Sequence, residues 1–400
     1  MNTCPIPDVR VVDADPFSDD FLLHPHAEHE RLREAGPLVW IPMYGIFAVA
    51  RHAEVRAVLN DHETYISSAG VGLANFNKEK PFRPKSLILE ADPPSHTKAR
   101  AILSRILSPK TVMQIRAAFQ AEADALLDRL VAKRDIDAVK ELSEVYPLKV
   151  FPDAVGLGPD GRENLLLYGD MIFNSFGPRN ERLARSAERV QPVTQWIMEH
   201  CDRAMLRPGG FGDQIFQAAD AGEITLEEAP MLVRSFLSAG VDTTVNGIGN
   251  ALLCLAQHPE QYAKLRADPS LARPAFEEGL RYESSVQTFF RTTSRAAELA
   301  GFRMPADQKI VAFLASANRD PRQWPEPDRF DIERRPTGHV AFGSGIHGCV
   351  GQVVARLEGE LILGGLAKRV ARLEITGEPV RRLNNTMRAL GSLPLRLHAA

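Results

Sequence analysis

No stretch of this sequence reaches the roughly 18 uninterrupted apolar residues that a membrane-spanning helix needs. Residues 1–20 hold neither an apolar run nor a basic segment, so neither a secretion signal nor an anchor is expected there. Like charges never gather into a block and the net charge is only −3, which argues against nucleic acid as the main partner. There are only four cysteines, Cys4, Cys201, Cys254 and Cys349, far apart in the chain. No disulfide framework is expected from them, and a reducing cytoplasm suits them. Internal repeats and low-complexity tracts are absent, and so is the strand–helix alternation of a parallel α/β sheet.

What remains is an ordinary globular composition, with 44% hydrophobic and 25% charged residues over 400 positions, enough to bury a sizeable core. The patterning predicts a mainly α protein with a minor β part. A hairpin is expected at 38–42 and 46–50 around Tyr44-Gly45. Helices are expected at 53–59, from Ser95 onward, and at 109–133, 160–175, 183–206, 225–257, 259–267 and 271–282. Short strands fit 297–299, 308–314 and 385–397. Residues 1–20 read as a flexible leader and 21–400 as one large domain, because no break in composition divides them.

The most informative stretch runs from Phe342 to Gly351, Phe-Gly-Ser-Gly-Ile-His-Gly-Cys-Val-Gly. Glycines ahead of Cys349 allow a tight turn and close approach to something flat. Val350, Val353, Val354, Leu357 and Leu361 then recur at helical spacing, which places Cys349 near a helix N-terminus. There the dipole and free N–H groups favour a thiolate. No acid–base partner pattern supports a nucleophile, and no second ligand pair supports zinc. A single thiolate beside a large flat cofactor fits haem.

A second signal is the long apolar helix opened by the capping box Thr225-x-x-Glu228 and closed at Pro259. It carries a polar stripe, Arg234, Ser235, Ser238, Asp242 and Thr243, three members of which are four residues apart and share a face. The run Ala-Gly-Val-Asp-Thr-Thr from Ala239 suits a local distortion of the helix that admits dioxygen and water. Buried polar groups of this kind need partners.

With these residues in view, the Phe-x-x-Gly-x-His-x-Cys-x-Gly loop resembles the haem-binding loop of cytochromes P-450. The resemblance covers the chain from about residue 20 to its end. It implies the cytochrome P-450 fold, a single large helical domain around a buried haem b, with Cys349 as the axial thiolate. It implies that Thr243 hydrogen-bonds the activated oxygen species and that Asp242 relays protons to it. His96, Arg100, Arg291 and His347 would meet the haem propionates. Glu278 and Arg281, three apart, would form a structural clamp completed by Arg329.

The runs beginning at Phe82, Phe173, Leu232 and Ser285 are similar to those of the bacterial subfamily oxidising para-substituted benzoates such as 4-methoxybenzoate. That similarity implies that Arg83, Ser86 and Ser235 hold a carboxylate, with Ser238 nearby. Leu89, Phe173, Phe176, Val286 and Phe289 would line an aromatic slot, and the hairpin near Leu390-Gly391 would border it. Lys85 departs from the neutral residue expected in the loop. The implied reaction is hydroxylation or O-demethylation of a small aromatic carboxylate by O2. Electrons would come from an iron–sulfur ferredoxin and its NADH-dependent reductase, docked on a basic face of Lys98, Arg100, Arg105, Lys110 and Arg356. A terpenoid or fatty-acid substrate, or a haem-thiolate sensor without turnover, are the alternatives. Asp242 and Thr243 speak against the sensor, which needs no proton delivery.

Overall fold

The computed structural model describes residues 3–400. It is mainly helical with small sheets, as the patterning predicts. The hairpin forms from Val39–Ile41 and Ile46–Val49, antiparallel, with Gly45 at positive φ in the turn. These strands sit in a six-stranded sheet with Arg10–Val11, Lys309–Phe313, Thr288–Thr293 and Tyr65–Ile66. The expected helix 109–133 is Pro109–Lys133: the Ser108 hydroxyl accepts from the Thr111 N–H, and Pro109 fills the first turn, where its missing N–H leaves nothing unpaired.

Three expectations are corrected. Residues 9–17 are not a loose leader. Val9, Val12, Ala14 and Phe17 are buried, and Arg10–Val11 pairs with the strand Val39–Ile41; Met1 and Asn2 lie outside the described residues. The helix expected at 183–206 divides into Glu181–Val190, Thr194–Glu199 and short turns. Pro192 lies at the first break, where it withholds a backbone N–H. The central helix is two helices, Glu228–Ala239 and Asp242–Gln257. The capping box holds, with Thr225 N–H on Glu228 and Glu228 N–H on the Thr225 hydroxyl, 2.9 and 3.2 Å. The break falls at Gly240, where a Cβ would come within 2.1 Å of the Phe151 ring. Any other residue there would have to displace that ring.

The helices Asp242–Gln257, Ala272–Glu283 and Gln352–Arg369 pack on one another beneath the site. Glu278 and Arg281 are fully buried between them and bonded twice, at 2.7 and 2.8 Å. The third arginine is Arg334, whose Nε is 3.1 Å from Glu278. Arg329 pairs with Glu326 near the surface instead. Arg281 also donates to the carbonyls of Asn318 and Pro327, so the clamp fixes the segment leading to the cysteine loop. Glu278→Ala leaves a buried guanidinium without its counter-charge, an expected loss of about 3–5 kcal/mol, seen as a lower thermal midpoint and weaker haem retention.

Candidate active site

The cysteine loop is shaped by close approach. Gly345 has φ +68°, and a Cβ there would lie 2.5 Å from the Leu59 carbonyl. Cys349 N–H donates to Phe342 O at 2.8 Å, which fixes the cysteine three residues ahead of the helix Gln352–Arg369. Its sulfur meets the backbone N–H groups of Gly351 and Gln352 and the charges of Arg100 and Arg356. Burial nonetheless outweighs them and pushes the Cys349 thiol up. The helix terminus and the two arginines thus offset only part of the cost of burial, and a metal bound at the sulfur would favour the thiolate further.

Cys349 lines a cavity walled by both halves of the central helix, the loop 83–89, the end of Asn164–Asn174 and residues 285–291. Of the expected site residues, Arg83, Ser86, Leu89, Arg100, Phe173, Phe176, Ser235, Ser238, Thr243, Val286, Phe289, Arg291, His347 and Cys349 all line it. Asp242 and His96 lie just behind its wall, and Leu390 does not border it.

In and just behind the cavity wall stand two arginines and two imidazoles that lack anionic partners. Arg100 donates only to the Gly348 carbonyl and Arg291 only to that of Phe290. His96 and His347 lie with ring centroids 4.3 Å apart, and each leaves a buried Nε2 with no hydrogen-bond partner. Burial, with the charges of Arg291 and His96, lowers His347 to about 3. Burial and then Arg100 lower His96 as well, and burial lowers Arg291 to about 10. Two arginines bonded to backbone carbonyls alone, beside two imidazoles with free nitrogens, mark a place suited to negative charge from outside the chain. A haem fits this donor set: Cys349 would take its iron, Arg100, Arg291 and the free imidazole nitrogens of His96 and His347 would meet its two carboxylates, and Leu103, Phe342 and Val354 would cover its apolar surface.

A second group of lining residues is aromatic. The rings of Phe173 and Phe176 meet edge to face at 5.6 Å, and Phe289 is 5.8 Å from Phe176. The Arg83 guanidinium sits 5.2 Å from the Phe176 ring centroid. Beside them, Ser86 Oγ accepts from the Leu89 N–H at 3.1 Å, and Ser235 Oγ donates to the Met231 carbonyl at 3.2 Å. Ser238 donates to the Ser235 carbonyl. Lys85 turns away, its Nζ on the Ser68 carbonyl and over the Phe76 ring.

The helix break turns Thr243 toward the cavity, its hydroxyl donating to the Ala239 carbonyl at 2.9 Å. Asp242 is buried behind it. One carboxylate oxygen takes Arg382 at 3.0 Å, while the other is buried without a partner. Burial pushes the Asp242 carboxyl up and Arg382 pulls it back; the net direction is upward. Arg382 also reaches Asp170, which in turn holds the half-exposed Arg189 at 2.6 Å. A charged chain thus runs from Asp242 to the surface.

Several of these residues escape a reading of the sequence. Arg382 and Asp170 carry no local motif and meet Asp242 only through the fold. Glu90, a lone acid after Leu-Ile-Leu, bonds both edges of Arg83 at 2.9 and 3.0 Å. Arg234 was visible on the polar stripe, and it ties the loop by donating to the carbonyls of Pro84 and Lys85. The expected basic face is largely neutralised. Arg105 pairs with Glu223, Arg356 with Glu277, and Arg100 lines the cavity, which leaves Lys98 and Lys110.

Among known proteins, the family model described as Cytochrome P450 matches residues 171–394. Cytochrome P450 CYP199A2 of Rhodopseudomonas palustris is 58% identical over 387 residues, covering 96% of this chain and 94% of the relative. Cytochrome P450 107B1 of Saccharopolyspora erythraea is 32% identical, covering 99% of each. The solved structure of CYP109Q5 from Chondromyces apiculatus superposes with a TM-score of 0.81 at 32% identity, covering 97% of this chain and 99% of that one.

Proposed function

The chain belongs to the cytochrome P450 family, as a haem-thiolate monooxygenase with haem b on an axial cysteine thiolate, and from that premise we propose that it oxidises a para-substituted benzoate. Cys349 would be the axial ligand, and His96, Arg100, Arg291 and His347 would hold the propionates. A bound haem would supply dioxygen activation, with one atom of O2 going to the substrate and the other leaving as water at the expense of two electrons and two protons. The chain's own residues bind, orient and deliver protons.

The observation that carries the substrate reading is the joining of an aromatic cluster to an anion-binding patch in one cavity. Phe173, Phe176 and Phe289 offer ring faces and edges to a flat substrate. Arg234 offers charge to a carboxylate and Ser86, Ser235 and Ser238 offer hydroxyls, with Arg83 bordering the same patch. The para substituent would then be the end presented for oxidation. A methoxy carbon hydroxylated there collapses to formaldehyde and a phenol. Thr243, with Asp242 behind it, would pass protons inward. The two electrons come from redox partners, for which we propose an iron–sulfur ferredoxin and its NADH-dependent reductase. With only Lys98 and Lys110 unpaired among the expected docking cations, its association should depend only modestly on salt.

The test is a spectral titration of the ferric holoenzyme with 4-methoxybenzoate and with neutral 4-methoxybenzamide. Hydrogen bonds to a charged group contribute about 1.5–3 kcal/mol, so the benzoate should bind at least about tenfold more tightly. Equal affinities would remove the carboxylate from the reading. No Soret shift with either would discard the benzoate class.

A further inference from the structure

The pair Arg83–Glu90 raises a question that the substrate reading leaves open. An arginine placed to hold a substrate carboxylate already holds one. Glu90 bonds Nη1 and Nη2 of Arg83, and its side chain is 1% exposed against 13% for Arg83. The same Glu90 carboxylate accepts the Ser86 N–H at 2.9 Å, and the Glu90 N–H returns to the Ser86 carbonyl at 3.1 Å. Ser175 takes Arg83 Nε at 3.3 Å. Nη1 also donates to the Pro84 carbonyl at 3.1 Å, so four of the five guanidinium N–H groups are engaged within the protein.

The charge of this patch follows from its members. Arg83 and Glu90 cancel. Arg234 is buried, lines the cavity, and donates to backbone carbonyls alone, so its charge is uncompensated. Lys85 points away, and Lys309 is not a lining residue, its Nζ being held by the carbonyls of Ala69 and Gly70. Arg291 belongs to the cationic set that fits the propionates. The patch therefore presents one net positive charge, matched to a ligand with one negative charge.

Resting on the benzoate reading, we infer that Glu90 is a specificity-determining residue, an internal counter-ion that restricts the patch to monoanions. A dianion entering beside Arg234 would meet Arg83 with its charge already cancelled, its Nη1 and Nη2 held by Glu90 behind the cavity wall. Removing the Glu90 charge frees one edge of Arg83 and raises the patch to two positive charges. The discrimination follows from a cancelled charge and from donors already in use.

The experiment compares 4-methoxybenzoate with 4-methoxyphenyl phosphate, a dianion at pH 8 because the second phosphate pKa lies near 6. Both are titrated into the ferric wild type and into Glu90→Gln, with the ferrous–CO spectrum confirming that each retains its haem. The wild type should favour the benzoate by at least about tenfold, and Glu90→Gln should move the affinity ratio toward the phosphate by about tenfold or more. Comparing the ratio between wild type and Glu90→Gln cancels the difference in head-group shape. If Glu90 only ties the loop, both ligands weaken together and the ratio stays fixed, which overturns the inference. A wild type that binds both equally overturns it without any variant. A wild type that responds to neither ligand sinks the benzoate reading itself, a distinct outcome.

Discussion

Replacing Cys349 with alanine is expected to abolish turnover and the thiolate signature of the ferrous–CO spectrum. No other sulfur can take its place. Cys201 and Cys254 are buried away from the cavity, where burial pushes Cys201 up to about 12 and Cys254 well above the ordinary value. Cys4 lies near the start of the chain, its sulfur against the Ile6 carbonyl. Cys349 alone borders the cavity, with the Gly351 and Gln352 N–H groups aimed at its sulfur. With a metal bound at Cys349, those N–H groups would weaken the charge on its thiolate. Cys201→Ala and Cys254→Ala should leave the spectrum and the activity intact. Turnover surviving in Cys349→Ala would move the metal site elsewhere.

Asp242→Asn should lower the rate of product formation by about 10²-fold or more, the range expected when a positioned proton-transfer group is lost. Asparagine keeps the shape and can still meet Arg382, but it has no proton to relay. Substrate affinity should not change, since Asp242 lies behind the cavity wall and Thr243 stands in front of it. The prediction is therefore a fall in kcat with the benzoate-induced spectral shift preserved. A variant that lost binding and rate together would mean that Asp242 holds the cavity's shape. In that case the packing of Asp242 against Gly169, whose missing Cβ makes room for it, would be its role.

The elements legible in the sequence are those fixed by local chemistry. Pro109–Lys133 has a serine cap and an early proline, and the hairpin around Gly45 has its turn residue. The cysteine loop carries fixed glycines whose positive φ and close contacts appear as expected. The features that were not legible depend on distant packing. The central helix breaks inside the Ala239–Thr244 run where a distortion is expected, but the Phe151 ring that leaves room only for glycine at position 240 is recorded nowhere in residues 225–257. Glu278 selects Arg334 over Arg329 because the chain after Pro327 brings Arg334 back into reach and leaves Arg329 near the surface. Arg83 was read as an open cation. Its seven-residue loop to Glu90 closes on itself, which a pattern of residue types does not reveal. The same holds for the path from Asp242 through Arg382 and Asp170 to Arg189, built from four separate elements.

The most direct test of the central claim is turnover of 4-methoxybenzoate by the holoenzyme with an iron–sulfur ferredoxin, its NADH-dependent reductase and O2. 4-Hydroxybenzoate and formaldehyde are expected in equal amounts, at close to one of each per NADH consumed. Oxidation of NADH without either product, in a protein whose ferrous–CO spectrum is that of a thiolate-ligated haem, would contradict it.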